Sequence, residues 1–277
     1  MTVLRAGLIG DHISQTRLPA ALDLMCRAHD MQLEFELIDT ADRPDFDFAR
    51  CVDGLRAQGW TGVTVTHPYK TDAAQYAGAG MQPDVSGLGA ANTLLFGAQV
   101  RGFNTDFTGF LAAWRATMAD QPVGRVAMAG AGGVARALGP ALAHLGATQI
   151  TIWDMSYDRA ADLADMIGPC AEAVASDDAP AAIAKAQGLV NATPLGMTYH
   201  PGTAFAANLI GPQRWAFDAV YTPTDTEFLK ACGRGGLTVL SGFDLFRHMA
   251  IRSFAAYTGL QPDPAEVLPL LQPLRPQ

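Results

Sequence analysis

Residues 125–136 read RVAMAGAGGVAR, and the fold turns on them. Arg125 to Ala129 is a short, mostly apolar run that reads as a buried strand. Gly130, Gly132 and Ala135 follow at G-x-G-x-x-A spacing, and an apolar helical pattern continues through His144. A strand that ends in such a turn and opens a helix is the setting a dinucleotide fingerprint requires. The first glycine permits the tight turn, the second lets backbone approach a pyrophosphate, and the helix start offers unpaired amides to its charge. Gly130, Ala131, Gly132, Gly133 and Val134 are therefore the candidate phosphate cradle. The bland alternative is a glycine-rich turn with no ligand.

Asp154 tips the balance, because it ends the next strand, Gln149 to Trp153, where a carboxylate accepts from the ribose hydroxyls of the adenosine and repels a 2′-phosphate. This favours NAD, with NADP possible because Arg136 or Arg159 could offset the repulsion. Asp154 could instead be a helix N-cap, a task open to Ser156 as well.

Outward from this turn the pattern alternates. Strands at Leu4–Ile9, Leu33–Ile38 and Thr61–Thr66 are separated by helices opening near Pro19 and spanning Phe46–Leu55. Leu94–Phe103 reads as a hairpin around Gly97, followed by a helix from Thr108. After the glycine turn come helix Arg159–Ile167, strands Gly188–Asn191 and Trp215–Val220, a helix from Gly242 to Tyr257, and a closing helix over Ala265–Leu271. Repeated βαβ units imply an α/β protein with a parallel, doubly wound nucleotide domain, and 277 residues suit two domains. A net charge of −8 without clustered Lys or Arg excludes a nucleic-acid binder. No run is long and apolar enough for a signal or a membrane span, and the four cysteines are scattered, so a cytoplasmic protein with reduced thiols is expected.

The six histidines are isolated from one another, so no metal site is expected and hydride chemistry needs a protein acid/base. Two segments following strands carry charge in unusual places: VTVTHPYK, ending in Lys70, and GFNTDFTGF, with Asp106. Lys70 could exchange a proton with a carbonyl or hydroxyl if a carboxylate held it, and Asp106 could be that carboxylate. The alternatives are a solvated loop cation and a helix N-cap.

THPYK (66–70), GAANT (89–93), FNTD (103–106), GAGGVAR (130–136), VNATPLGM (190–197) and DAVYTPTDT (218–226) stand in one order across the chain. Together they resemble the shikimate dehydrogenase family, in particular the branch that acts on quinate as well as shikimate. The resemblance implies a mixed-sheet substrate domain over 1–106 and 242–277, a Rossmann-type NAD(P) domain over 107–241, and an active site in the cleft. It makes Lys70 and Asp106 a catalytic dyad and puts Thr66, Asn92 and Tyr221 against the ring of a small cyclic hydroxy acid. Asn191, Thr193, Pro194, Val220 and Gly242 would then line the nicotinamide and its ribose, with Asp154 and Arg159 at the adenosine. A monomer or homodimer is expected.

Two positions depart from the family pattern. Two hydroxyl residues spaced by one before a proline would hold the substrate carboxylate, and alignment on Pro19 puts Thr16 and Leu18 there; Ser14 with Thr16 restores the pair if the loop shifts by two. A glutamine on the last long helix is replaced by Met249. Each lost donor costs about 1–3 kcal/mol for a ligand that needs it. His12 or Arg247 could compensate, or the substrate is a related acid. Another dehydrogenase of comparable plan, such as a methylene-tetrahydrofolate dehydrogenase, and a non-catalytic dinucleotide- or metabolite-binding module are the competing readings.

Overall fold

The computed structural model describes residues 2–276, which divide into two units: the residues through Gly109 with Arg247–Leu274, and Phe110–Phe246 with the residues from Arg275 on. The first unit begins β1 (Thr2–Gly10), α1 (Leu18–Ala28), β2 (Met31–Asp39), α2 (Phe48–Ala57), β3 (Gly62–Val65), α3 (Lys70–Ala77), α4 (Pro83–Ser86), β4 (Thr93–Leu95) and β5 (Arg101–Phe103). Its sheet runs β2-β1-β3-β4-β5, with β1 parallel to β2 and β3, and β4 antiparallel to β3 and β5. The mixed direction follows from the short β4–β5 return, which leaves no residues for a crossover helix. Ile9, Val52, Val63, Ala91 and Leu94 are fully buried in its core.

A helix, α5 (Thr105–Met118), leads to the second unit: β6 (Gly124–Ala129), α6 (Ala135–His144), β7 (Ala147–Trp153), α7 (Tyr157–Ile167), β8 (Ala171–Ala173), α8 (Ala179–Lys185), β9 (Gly188–Asn191), β10 (Trp215–Asp218), α9 (Glu227–Arg234) and β11 (Thr238–Ser241). Every pairing in the order β11-β10-β9-β6-β7-β8 is parallel. The chain winds from β6 outward to β8, then returns to β9 and winds the other way, which is the doubly wound plan expected of the glycine turn. Trp215 Nε1 donates to Val123 O at 3.1 Å while its ring meets Trp114 edge-on at 4.7 Å. Gly188 is glycine because a Cβ there would occupy the space of the Trp215 indole.

The chain closes with α10 (Gly242–Thr258) and α11 (Pro264–Leu271). The divisions fall inside α5 and α10 rather than at 106/107 and 241/242, and residues from Arg275 group with the second unit. Side-chain packing explains the first shift. A Cβ on Gly109 would lie 2.8 Å from Met249 N, within the first unit, whereas the next residue, Phe110, meets Phe217 of β10 edge-on at 5.0 Å.

Two helix starts bear on the candidate residues. The helix expected from Thr108 begins at Thr105, because the buried Asn104 side chain accepts from Phe107 N at 3.0 Å and caps it. Asp106 is therefore a first-turn residue, not the cap. Lys70, which follows the proline that ends the β3 segment, is the first residue of α3.

Candidate functional site

In the first unit the chain between β3 and β5 is laced by backbone bonds: Val65 N donates to Asn92 O at 2.8 Å, Asn92 N to Phe103 O at 3.0 Å, and Ala91 N to Lys70 O at 2.8 Å. These bonds gather Thr66, Lys70, Asn92 and the start of α5 at one end of the sheet. There Lys70 Nζ donates to Asp106 Oδ2 at 2.7 Å, with side-chain exposures of 19% and 14%. The pair is shielded but not sealed from solvent. Asn92 Oδ1 accepts from Thr105 N at 2.7 Å, Thr105 Oγ1 at 3.0 Å and Thr93 Oγ1 at 3.2 Å. Those donors fix the amide with its Nδ2 directed away from them.

The loop after β1 is held by Asp39, whose Oδ1 accepts from His12 N at 3.0 Å and Ala41 N at 3.1 Å, and whose Oδ2 accepts from Ile13 N at 3.1 Å. The Ala41 amide first, and then those of Ile13 and His12, hold its carboxyl below the usual range. Within this loop Ser14 is exposed, Thr16 is half-buried with its Oγ1 accepting from Leu18 N at 3.3 Å, and Leu18 is 2% exposed in the core. Leu18 thus lies in the packing of α1, and its side chain offers no hydrogen-bonding group. Met249 Sδ accepts from Ser253 Oγ at 3.6 Å, and Ser253 Oγ lies 3.0 Å from Thr105 Oγ1, so a buried hydroxyl chain joins it to Asn92.

In the second unit Gly130 has φ +94°, and a Cβ there would lie 2.8 Å from the Ala192 carbonyl. No other residue fits without moving the β9 loop. At Gly133 an added Cβ would meet nothing within 4 Å, and at Gly132 only Arg159 Nη2, at 3.7 Å. The space over these two residues is open, and no side chain caps α6. A dinucleotide pyrophosphate suits such a turn. Asp154 is half-buried; its Oδ2 accepts from Ala131 N at 2.8 Å and its Oδ1 from Ser156 N at 3.0 Å, so the carboxylate shapes the turn. Arg159 is exposed. Among the described residues no His, Cys, Asp and Glu gather as a metal site, and no helix is long and apolar enough to cross a membrane.

Residues 8–94 match the family model described as the shikimate dehydrogenase substrate binding domain. The chain is 37% identical over 266 residues to the quinate/shikimate dehydrogenase (NAD(+)) of Corynebacterium efficiens, covering 93% of each protein. The chain belongs to the shikimate dehydrogenase family. The shikimate dehydrogenase (NADP(+)) of Streptomyces avermitilis is 35% identical over 272 residues, covering 95% of this chain and 92% of that one. Among solved structures, quinate dehydrogenase from Corynebacterium glutamicum in complex with NAD superposes with a TM-score of 0.93 at 31% identity, over 99% of this chain and 100% of the other. Family membership makes this protein an NAD(P)-dependent oxidoreductase with a Rossmann-type nucleotide-binding domain.

For this family member, the second-unit residues Asn191, Thr193, Pro194, Val220, Tyr221 and Gly242 fall into two groups. Pro194 is exposed, and Tyr221 stacks on Phe246 at 5.6 Å. Gly242 is pressed against the neighbouring backbone, where a Cβ would lie 2.5 Å from Ala219 O. Asn191 and Val220 are instead tied to Asp218, the first residue of DAVYTPTDT, and Thr193 is tied to it through Asn191. Asp218 is fully buried; its Oδ1 accepts from Asn191 Nδ2 at 2.9 Å and Val220 N at 3.0 Å, and its Oδ2 from Thr226 Oγ1 at 2.6 Å. Burial pushes its pKa up to about 6 against these three donors. The signal in the sequence is an aspartate at the end of an apolar strand, the same signal that marks Asp154.

Proposed function

We propose that this enzyme moves a hydride reversibly between NAD and a ring hydroxyl of shikimate or quinate, with NADP as the poorer cofactor. The observation that carries the reading is the Lys70–Asp106 pair at 2.7 Å, a proton-transfer pair that binding alone has no use for. The nicotinamide supplies the hydride acceptor. Lys70 exchanges the proton of the reacting oxygen: in the reducing direction its ammonium protonates the oxygen, and in the oxidising direction its free amine takes the hydroxyl proton. Asp106 keeps Nζ aimed and stabilises its charge. Asn92 donates to a substrate oxygen, with Thr66, Tyr221 and Thr16 as further contacts. Gly130 to Val134 receive the pyrophosphate, Asp154 accepts from the adenosine ribose, and Arg159 flanks it. Asn191, Thr193, Pro194, Val220 and Gly242 line the nicotinamide end.

Met249, a thioether in place of an amide, and the buried Leu18 favour one variation: a related hydroxy acid that makes fewer polar contacts at these positions. We place the enzyme in the cytoplasm as a monomer or homodimer; its four cysteines are unpaired, as suits a reducing compartment.

The test is direct. Purified protein is mixed with NAD or NADP and with shikimate or quinate, and absorbance of the reduced nicotinamide is followed. Turnover of either acid, faster with NAD, is expected. Binding of NAD without oxidation of either acid would overturn the substrate assignment.

A further inference from the structure

We propose that Asp218 is a positioning residue for hydride transfer, holding in register the two loops that leave β9 and β10 and receive the nicotinamide half of the dinucleotide. The inference rests on the nucleotide-binding reading of the second unit given above. A doubly wound sheet binds its ligand at the carboxyl ends of the strands, beside the point where the winding reverses, and each half of the sheet serves one half of the dinucleotide. Here that point is between β6 and β9. On the β6–β7 side the glycine turn and Asp154 fix the backbone locally. No comparable glycine turn follows β9 or β10, so something else must define the loops that follow them.

Asp218 does so from one buried point. Its Oδ1 ties Val220 N and its Oδ2 ties Thr226 Oγ1, which closes the loop 220–226 at both ends. Thr226 Oγ1 also accepts from Leu229 N at 3.2 Å and caps α9. Through Asn191 Nδ2 the same carboxylate reaches the β9 loop. Asn191 Nδ2 donates also to Leu195 O at 2.9 Å, while its Oδ1 accepts from Thr193 N at 3.1 Å and Thr193 Oγ1 at 2.6 Å. Every polar atom of Asn191 is thereby spent inside the protein, which makes its side chain a strut and leaves contact with a ligand to the backbone around it.

A carboxylate with no exposure and no ion-pair partner among the described residues is an expensive way to gain stability. It is well suited to shape, because it is a pure acceptor and three donors converge on it. An amide in its place would turn an NH₂ towards one of those donors.

The experiment measures kcat, the KM for NAD and for the acid, and the affinity for ADP, which carries the adenosine half without the nicotinamide, in wild type, Asp218→Asn, Thr226→Val and Thr226→Ser. Asp218→Asn is expected to lower kcat by about tenfold or more, with ADP affinity within about twofold of wild type. Thr226→Val should lower kcat in the same sense and Thr226→Ser should restore it; this pair carries the test if Asp218→Asn does not fold. A kcat within about twofold of wild type in Asp218→Asn, or a parallel loss of ADP affinity, overturns the proposal. If the wild type oxidises neither acid, the functional reading falls and binding decides: the variant must lose the affinity that NAD has over ADP, and equal or absent losses overturn it.

Discussion

Asp106 in the first unit keeps 14% side-chain exposure and meets a cation, Lys70 Nζ, at 2.7 Å. Asp218 in the second is fully buried and meets three donors instead. The two environments suit opposite tasks. A group that must help a proton come and go needs a route to the ligand and a partner that stabilises both states. A group that sets the shape of loops needs saturation and burial, and tolerates a raised pKa as a consequence.

The strongest challenge to this contrast is Lys70→Ala. It should lower kcat about a thousandfold, ~4 kcal/mol of transition-state stabilisation, because it removes the proton exchanger. NAD affinity, measured by titration, should hardly move. A variant that retains most of its turnover would leave the pair a mere ion pair.

The second challenge concerns acidity. Asp218 has a folded pKa of about 6, raised from 3.8 chiefly by burial. As pH rises from 4, the unfolded chain gives up this proton first, so the folded state holds more protons and loses stability until pH passes about 6. The loss is on the order of 3 kcal/mol. Asp218→Asn lacks this titration, so unfolding midpoints compared from pH 4 to pH 7 should shift in favour of the variant as pH rises. A pH-independent difference would mean the carboxyl is not raised.

Smaller effects sharpen the comparison at the nucleotide end. Asp154→Ser removes both the repulsion of a 2′-phosphate and the acceptor of Ala131 N. The ratio of kcat/KM for NAD over NADP should fall about tenfold, ~1.4 kcal/mol. Smallest is Arg275→Ala, which breaks a two-pronged pair with Asp225 at 2.6 and 3.1 Å. Its side chains are 38% and 61% exposed, so under about 1 kcal/mol is at stake, and the change in Tm should vanish in ~1 M salt.

What could be read from the sequence was local. The glycine turn and the strand and helix around it lie within some twenty consecutive residues, and their spacing alone states the geometry. The β4–β5 return was legible as a hairpin around Gly97, while the mixed first sheet came only from the family resemblance. The short elements were not: β8 is three residues, AEA, and β11 four, TVLS, too few to show a period. Lys70 and Asp106 could be singled out as candidates, but their contact spans 36 positions and depends on backbone bonds between β3, the Asn92 segment and β5. Asp218 was hidden for a related reason. Its partners Asn191 and Thr226 are polar residues of ordinary type, and only the adjacency of β9 and β10 brings them to one carboxylate. The start of α5 was misplaced by three residues because Asn104 looked like part of a motif and not like a cap.

The hydrogen bond from Ala131 N to Asp154 makes one side chain answer for two traits. A substitution of this aspartate by a residue that lacks an acceptor also releases Ala131 N and with it the glycine turn. On the proposed reading, cofactor choice and loop shape are therefore coupled through one side chain, and a change in the first requires a second substitution to recover the acceptor that Ala131 has lost.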